Sequence, residues 1–129
     1  MRVNFLKNKA EIFFENGKEQ IKKKRYFLAA FNFEQASQLF LKYYLFLRLK
    51  DFPKIHEIDR LLIETGKTYE KQREVRQFLK ENASVIGDLN QAYITSRYLP
   101  IEFNFYQVTE MGKFVERLIS FLKRICLKP

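Results

Sequence analysis

The chain has one cysteine, Cys126, one histidine, His56, no tryptophan, three prolines and four glycines among its 129 residues. A single thiol closes no internal disulfide, and without a second cysteine there is no zinc-type spacing. No metal or cofactor is therefore expected, and a reducing, cytoplasmic setting fits the composition. Long uninterrupted apolar runs are also missing. Lys7, Lys9 and Glu11 follow closely on the first five residues, which argues against a signal peptide there. The longest strongly apolar run, Leu39 to Leu49, is broken by Lys42 and Arg48. It is shorter than the roughly 20 residues that cross a bilayer, so it reads as a core helix and no membrane association is expected. There is no P-loop, dinucleotide fingerprint, HExxH or nucleophile elbow, which argues against the enzyme classes those motifs define. Glu11 and Glu15 stand at i, i+4 spacing among lysines, the pattern of ordinary surface pairs rather than of a general acid–base couple.

What the chain has instead is apolar bulk and positive charge. Hydrophobic residues make up 47%, with 14 Phe and 7 Tyr, enough for one core without disulfides or a structural metal. The length is that of one domain, so residues 1–129 read as a single unit. The formal net charge of +9 favours RNA, DNA or an acidic partner through a salt-sensitive field, or else reflects a solvated basic surface. Lys7, Lys18, Lys22 and Arg25 lie on roughly one side of the first helix. They form either a phosphate-contacting stripe or a solvated face partly neutralised by Glu11 and Glu15.

Hydrophobic spacing predicts an all-α fold, an antiparallel up-and-down bundle of five or six helices. Val3, Leu6, Ala10, Phe13, Gly17 and Ile21 recur at steps of three and four, predicting helix one over residues 3–24. Gly17 costs about 1 kcal/mol against Ala in a helix interior, which a close helix crossing would explain. Helix two is predicted over residues 27–50, and its nearly all-apolar second half predicts a central rod that a second subunit also helps to bury. Asp51-Phe52-Pro53 ends it. A short helix over 56–64 is expected to stop at a left-handed Gly66. Thr68 is expected to cap a helix over 69–81, Ser84 the following one and Thr109 the last. Residues 98–108, with Pro100 and with Ile101, Phe103 and Phe105 alternating with polar residues, read as an ordered loop.

Motifs accumulate along this scheme in a particular order. Tyr26, Ala30, Gln35-Ala36 and Lys42 come first. Pro53-Lys54-Ile55-His56 follows with Leu61-Leu62, and then Ala92-Tyr93-Ile94-Thr95-Ser96-Arg97-Tyr98. In that order and spacing, over about residues 8 to 125, the chain resembles the HEPN domain family (higher eukaryotes and prokaryotes nucleotide-binding). The resemblance implies a helical bundle, commonly dimeric, often partnered by a minimal nucleotidyltransferase. It also implies one of two activities. Many members are metal-independent ribonucleases in which an arginine and a histidine, four to six residues apart, act together on RNA.

The sequence departs from that ribonuclease pattern. Seven residues lie between Arg48 and His56, and the position that would leave five between is Lys50, which lacks the bidentate fork of arginine. Gln38 stands where the family usually has a glutamate, so the site reads as chemically neutral there. The resemblance thus implies a non-catalytic homodimeric subunit binding nucleotide, RNA or a nucleotidyltransferase through Gln35, Lys42, His56, Arg97 and Tyr98. Arg97 and Tyr98 would meet a phosphate and a base. Alternatively, Arg97 bonds to helix-end carbonyls with Tyr98 packed beneath. The rival functions are a ribonuclease toxin, with His56 as acid or base and Arg48 or Lys50 as phosphate clamp, and a helical oligomerisation scaffold.

Overall fold

In the computed structural model the described residues are 2–99 and 102–127, with the side chains of residues 2, 3, 96 and 97 outside the description. Six helices follow one another: α1 (Arg2–Lys22), α2 (Tyr26–Leu49), α3 (Ile58–Tyr69), α4 (Gln72–Glu81), α5 (Ala83–Tyr98) and α6 (Phe105–Cys126). No strand occurs among the described residues, and no helix among them is long and apolar enough to cross a membrane. The chain is an all-α helical bundle.

Helix α2 is the central rod, packed against α1, α3, α5 and α6. Its apolar residues explain the position. Ala29, Ala30, Phe33, Ala36, Leu41 and Leu45 have no solvent exposure, and Phe40 and Tyr44 almost none. Such burial is worth roughly 1.5 to 3 kcal/mol for each large side chain. The alanines let neighbouring backbones approach, and Phe33 fills the tightest crossing. A Cβ on Gly17 of α1 would overlap the Phe33 ring, and one on Gly112 of α6 would stand 3.1 Å from its Cζ. The two glycines therefore make room for one ring where three helices meet.

Helix ends differ from several sequence expectations. Helix α1 stops at Lys22, and Lys24 takes a left-handed φ of 59°, so the basic stretch after it is the turn itself. Helix α3 starts two residues beyond His56 and runs on to Tyr69. Gly66 is not its cap: it is buried inside the helix, where a Cβ would come within 3.0 Å of Val75 on α4. The left-handed residue is Glu70, with φ 57°. Thr68, Ser84 and Thr109 are likewise interior to α3, α5 and α6 rather than caps. Helix α6 is capped by Asn104, whose side chain accepts from the Gln107 N–H at 2.8 Å while Gln107 Oε1 accepts from the Asn104 N–H at 2.9 Å. This reciprocal box starts α6 at Phe105, so the helix takes over the second half of the expected loop. Phe103 is buried, while Pro100 and Ile101 lie outside the described residues.

Three tethers fix the outer helices. The Tyr69 hydroxyl donates to the Tyr44 carbonyl at 2.5 Å, joining α3 to α2. The rings of Phe78 and Phe121 stack at 4.2 Å, joining α4 to α6. Asn82, the only residue between α4 and α5, donates to the Phe78 carbonyl and accepts from Arg117 Nε and Nη2 at 3.0 and 2.8 Å.

Candidate binding site on α2, α3 and α5

Residues four apart on a helix share a face, and on α2 this rule stacks Glu34, Gln38 and Lys42. Glu34 has no solvent exposure. Its carboxylate accepts from Gln35 Nε2 at 2.8 Å and from Gln38 Nε2 at 2.5 Å. Gln38 Oε1 in turn accepts from Lys42 Nζ at 3.3 Å. The Gln38 amide thereby links a buried carboxylate to a half-buried ammonium, which also lies 5.5 Å from the centre of the Phe52 ring. Burial pushes the Lys42 pKa below the usual lysine range, and the Glu34 carboxylate partly opposes that shift. Gln38 therefore does not stand alone in this column: one turn earlier is the buried carboxyl group of Glu34, to which it bonds.

His56 is in the short segment between α2 and α3, beside α5. Its imidazole stacks on the Tyr93 ring at 4.1 Å, with 5° between the planes. One turn before Tyr93, Asn90 Oδ1 accepts from the Ile58 N–H at 2.8 Å and Asn90 Nδ2 donates to Asp59 Oδ1 at 2.9 Å. The side chain of Glu57, the residue before α3, makes no capping hydrogen bond. Helix α5 therefore caps α3 from outside and holds the residues on either side of Glu57. His56 Nδ1 is buried with no hydrogen-bond partner among the described residues, and Nε2 is 3.8 Å from Glu57 Oε2. A histidine held this way has a fixed ring plane and can present a hydrogen-bonding edge.

Arg48 is elsewhere. Its Nη1 donates to the Thr68 carbonyl at 3.4 Å, and its guanidinium lies 4.4 Å from the centre of the Tyr69 ring. Both partners belong to the last turn of α3, whereas His56 precedes the first. At about 1.5 Å per residue, the 12 residues of α3 separate its two ends by roughly 16 Å. Lys50 is the exposed left-handed cap of α2, and its Nζ folds back to the Leu47 carbonyl at 3.4 Å. Gln35 is tied to Glu34. Tyr98, at the end of α5, is 73% exposed rather than packed beneath a loop. The Arg97 side chain lies outside the described residues, and its position follows Tyr93 by one turn of α5. Among the described residues no group of His, Cys, Asp and Glu could hold a metal ion.

Of the site residues expected from sequence, Lys42 stands in the α2 column and Gln35 bonds to its Glu34, His56 packs against Tyr93 of α5, and Arg48 and Lys50 are drawn to helix ends. Glu34, Asn90 and Tyr93 complete the arrangement. Glu34 had a visible signal, the four-residue spacing with Gln38 and Lys42 inside an apolar helix. Asn90 had none nearby, because the amide that it caps lies 32 residues earlier. Comparison with curated proteins and with solved structures finds no match. A sequence model described as the HEPN domain matches residues 3–125, nearly the whole chain.

Proposed function

The chain belongs to the HEPN domain family, and from that premise we propose that it is a non-catalytic, dimeric subunit that binds nucleotide or RNA. The family's activities are nucleotide or RNA binding and nuclease-like chemistry. The binding cleft in this reading is bounded by α2, His56 and the end of α5, with Lys42 as the cation and the His56 edge as the hydrogen-bonding group. A minimal nucleotidyltransferase is the protein partner that the family resemblance suggests.

The observation that carries the non-catalytic reading is the separation of Arg48 from His56 by the length of α3. A ribonuclease needs its phosphate clamp and its acid or base within reach of one scissile phosphate. Arg48 satisfies a carbonyl and covers Tyr69 at the far end of the helix, and Lys50 bonds back to its own helix.

Titration calorimetry against ATP and a short single-stranded RNA at low salt tests the proposal. Binding is expected to weaken roughly tenfold in His56→Ala, the equivalent of about 1.4 kcal/mol, while the RNA is recovered intact. Wild-type protein that binds neither ligand would sink the proposal. Metal-independent cleavage abolished by His56→Ala would replace it with the ribonuclease. Light scattering is expected to report a dimer at micromolar concentration.

A further inference from the structure

A second feature suited to polyanions lies outside that cleft. A groove of about 1080 Å³ runs between α4 and α6. Its floor is the stacked pair Phe78 and Phe121, and its walls carry Arg73, Arg76 and Lys80 from α4 and Arg124 from α6. The three α4 cations stand at i, i+3 and i+7. Helical geometry places them along one side and spreads them over about 10 Å.

Among the described residues these cations are not held in ion pairs, as five others on the surface are. Lys18, Lys22, Lys67 and Lys113 each pair with a glutamate three residues earlier in the chain. No ion pair among the described residues involves Arg73, Arg76 or Lys80. Four cations line the groove against two carboxylates, Glu74 and Glu81, and Gln77 Nε2 donates to Glu81 at 2.8 Å. The groove also does not close around a small ligand. It continues past Phe78, Phe121 and Arg124 to Glu116, Arg117 and Ser120, forming an open channel along α6 in which one further carboxylate faces one further cation.

The geometry points to this channel as a track for the sugar–phosphate backbone of single-stranded RNA, separate from the cleft at His56. The inference rests on the reading of the chain as an RNA-binding protein. An elongated, one-sided channel suits a chain polymer, whereas a single nucleotide is held by groups that converge. Arginine forks match phosphate oxygens two at a time. The floor is hydrocarbon, with no donors or acceptors to read base edges, so recognition there is of charge and not of sequence.

The test compares wild-type protein, the triple variant Arg73→Gln, Arg76→Gln, Lys80→Gln and a control, the α1 control, with the same charge loss on α1 and the turn after it, Lys9→Gln, Lys22→Gln, Lys23→Gln. All six positions are exposed, so folding is preserved. Affinity for a labelled 20-nucleotide mixed-sequence RNA is measured from 50 to 300 mM KCl. Single-stranded binding loses about 0.7 in the slope of log K against log salt for each phosphate contact removed. The α4 variant should therefore lose about 2 from that slope and bind at least tenfold more weakly at 100 mM, with the α1 control losing less than half as much. A slope within one of wild type, or an equal loss in the α1 control, overturns the inference. So does an α4 variant that loses binding to poly-glutamate but keeps its RNA affinity, which would assign the channel to an acidic protein. ATP titration separates the two proposals. Protein that binds ATP but no RNA overturns the channel and leaves the cleft standing. ATP binding unaffected by His56→Ala, with the expected RNA slope, supports the channel and overturns the cleft.

Discussion

Phe33 and Glu34 are neighbours on α2, and neither has any solvent exposure, yet opposite physics keeps each inside. Phe33 is driven there by its hydrocarbon and is accommodated by Gly17 and Gly112. Glu34 is tolerated because its carboxyl oxygens accept from the side-chain amides of Gln35 and Gln38 in place of water. The Phe33 arrangement makes a sharp prediction. Ala is favoured over Gly by about 1 kcal/mol in a helix interior, but overpacking a filled core costs about 1 to 3 kcal/mol. Gly17→Ala should therefore destabilise the protein by about 1 to 2 kcal/mol in urea unfolding, despite the better helix former. Gly87→Ala, where a Cβ meets nothing within 4 Å, should stabilise it by up to about 1 kcal/mol. Equal gains at both positions would contradict the close crossing. At this scale the sequence was readable where spacing carried the information. Gly17 broke an apolar stripe and announced a contact. Glu34 is legible only from the four-residue column it shares with Gln38 and Lys42, and not from the single position held by Gln38.

Helices were legible as elements, and their ends were not. Steps of three and four between apolar residues report which face is buried, and that signal accounts for the central placement of α2. A hydroxyl near a boundary carries a weaker message, because it can cap a helix or bond back to the carbonyl of the preceding turn. Thr65 and Thr95 do the latter, bonding to Leu61 and Gln91, and show that threonine is at home inside these helices. Thr68, Ser84 and Thr109 were misread for the same reason. Asn104 escaped notice because Pro100 and the alternating aromatics around it imitate an extended segment. The helix that matters most for the site is α3, whose start depends on Asn90 of α5. Asn90→Ala removes that external cap and should cost about 0.5 to 2 kcal/mol, the range for N-cap loss. It should also move the His56 ring resonances toward solution values as the stack on Tyr93 loosens. Unchanged histidine shifts in a destabilised variant would limit Asn90 to a purely structural role.

Across the whole molecule, protons set an upper limit on the pH range of stability. Tyr44, Tyr69 and Cys126 sit together where α2, α3 and α6 meet, and burial pushes each pKa to about 12, from ordinary values of 10.0, 10.0 and 9.0. For Cys126 and Tyr69, nearby Arg48 pulls the other way without reversing the shift. Between the ordinary and the raised values the folded chain holds protons that the unfolded chain has released. The stability these groups confer is therefore fully present below about pH 9 and is lost as pH climbs toward about 12. Melting temperature should stay level through neutral pH and fall steadily above pH 9. At pH 8 the thiol of Cys126 should resist a disulfide-exchange reagent until denaturant is added. Rapid labelling of the native protein would contradict its burial. The dependence of α3 on α5 also has a consequence in time. As the polypeptide leaves the ribosome, the turn bearing its one imidazole emerges well ahead of residue 90, so that turn must wait, unmoored, for a later part of the chain to arrive and seat it.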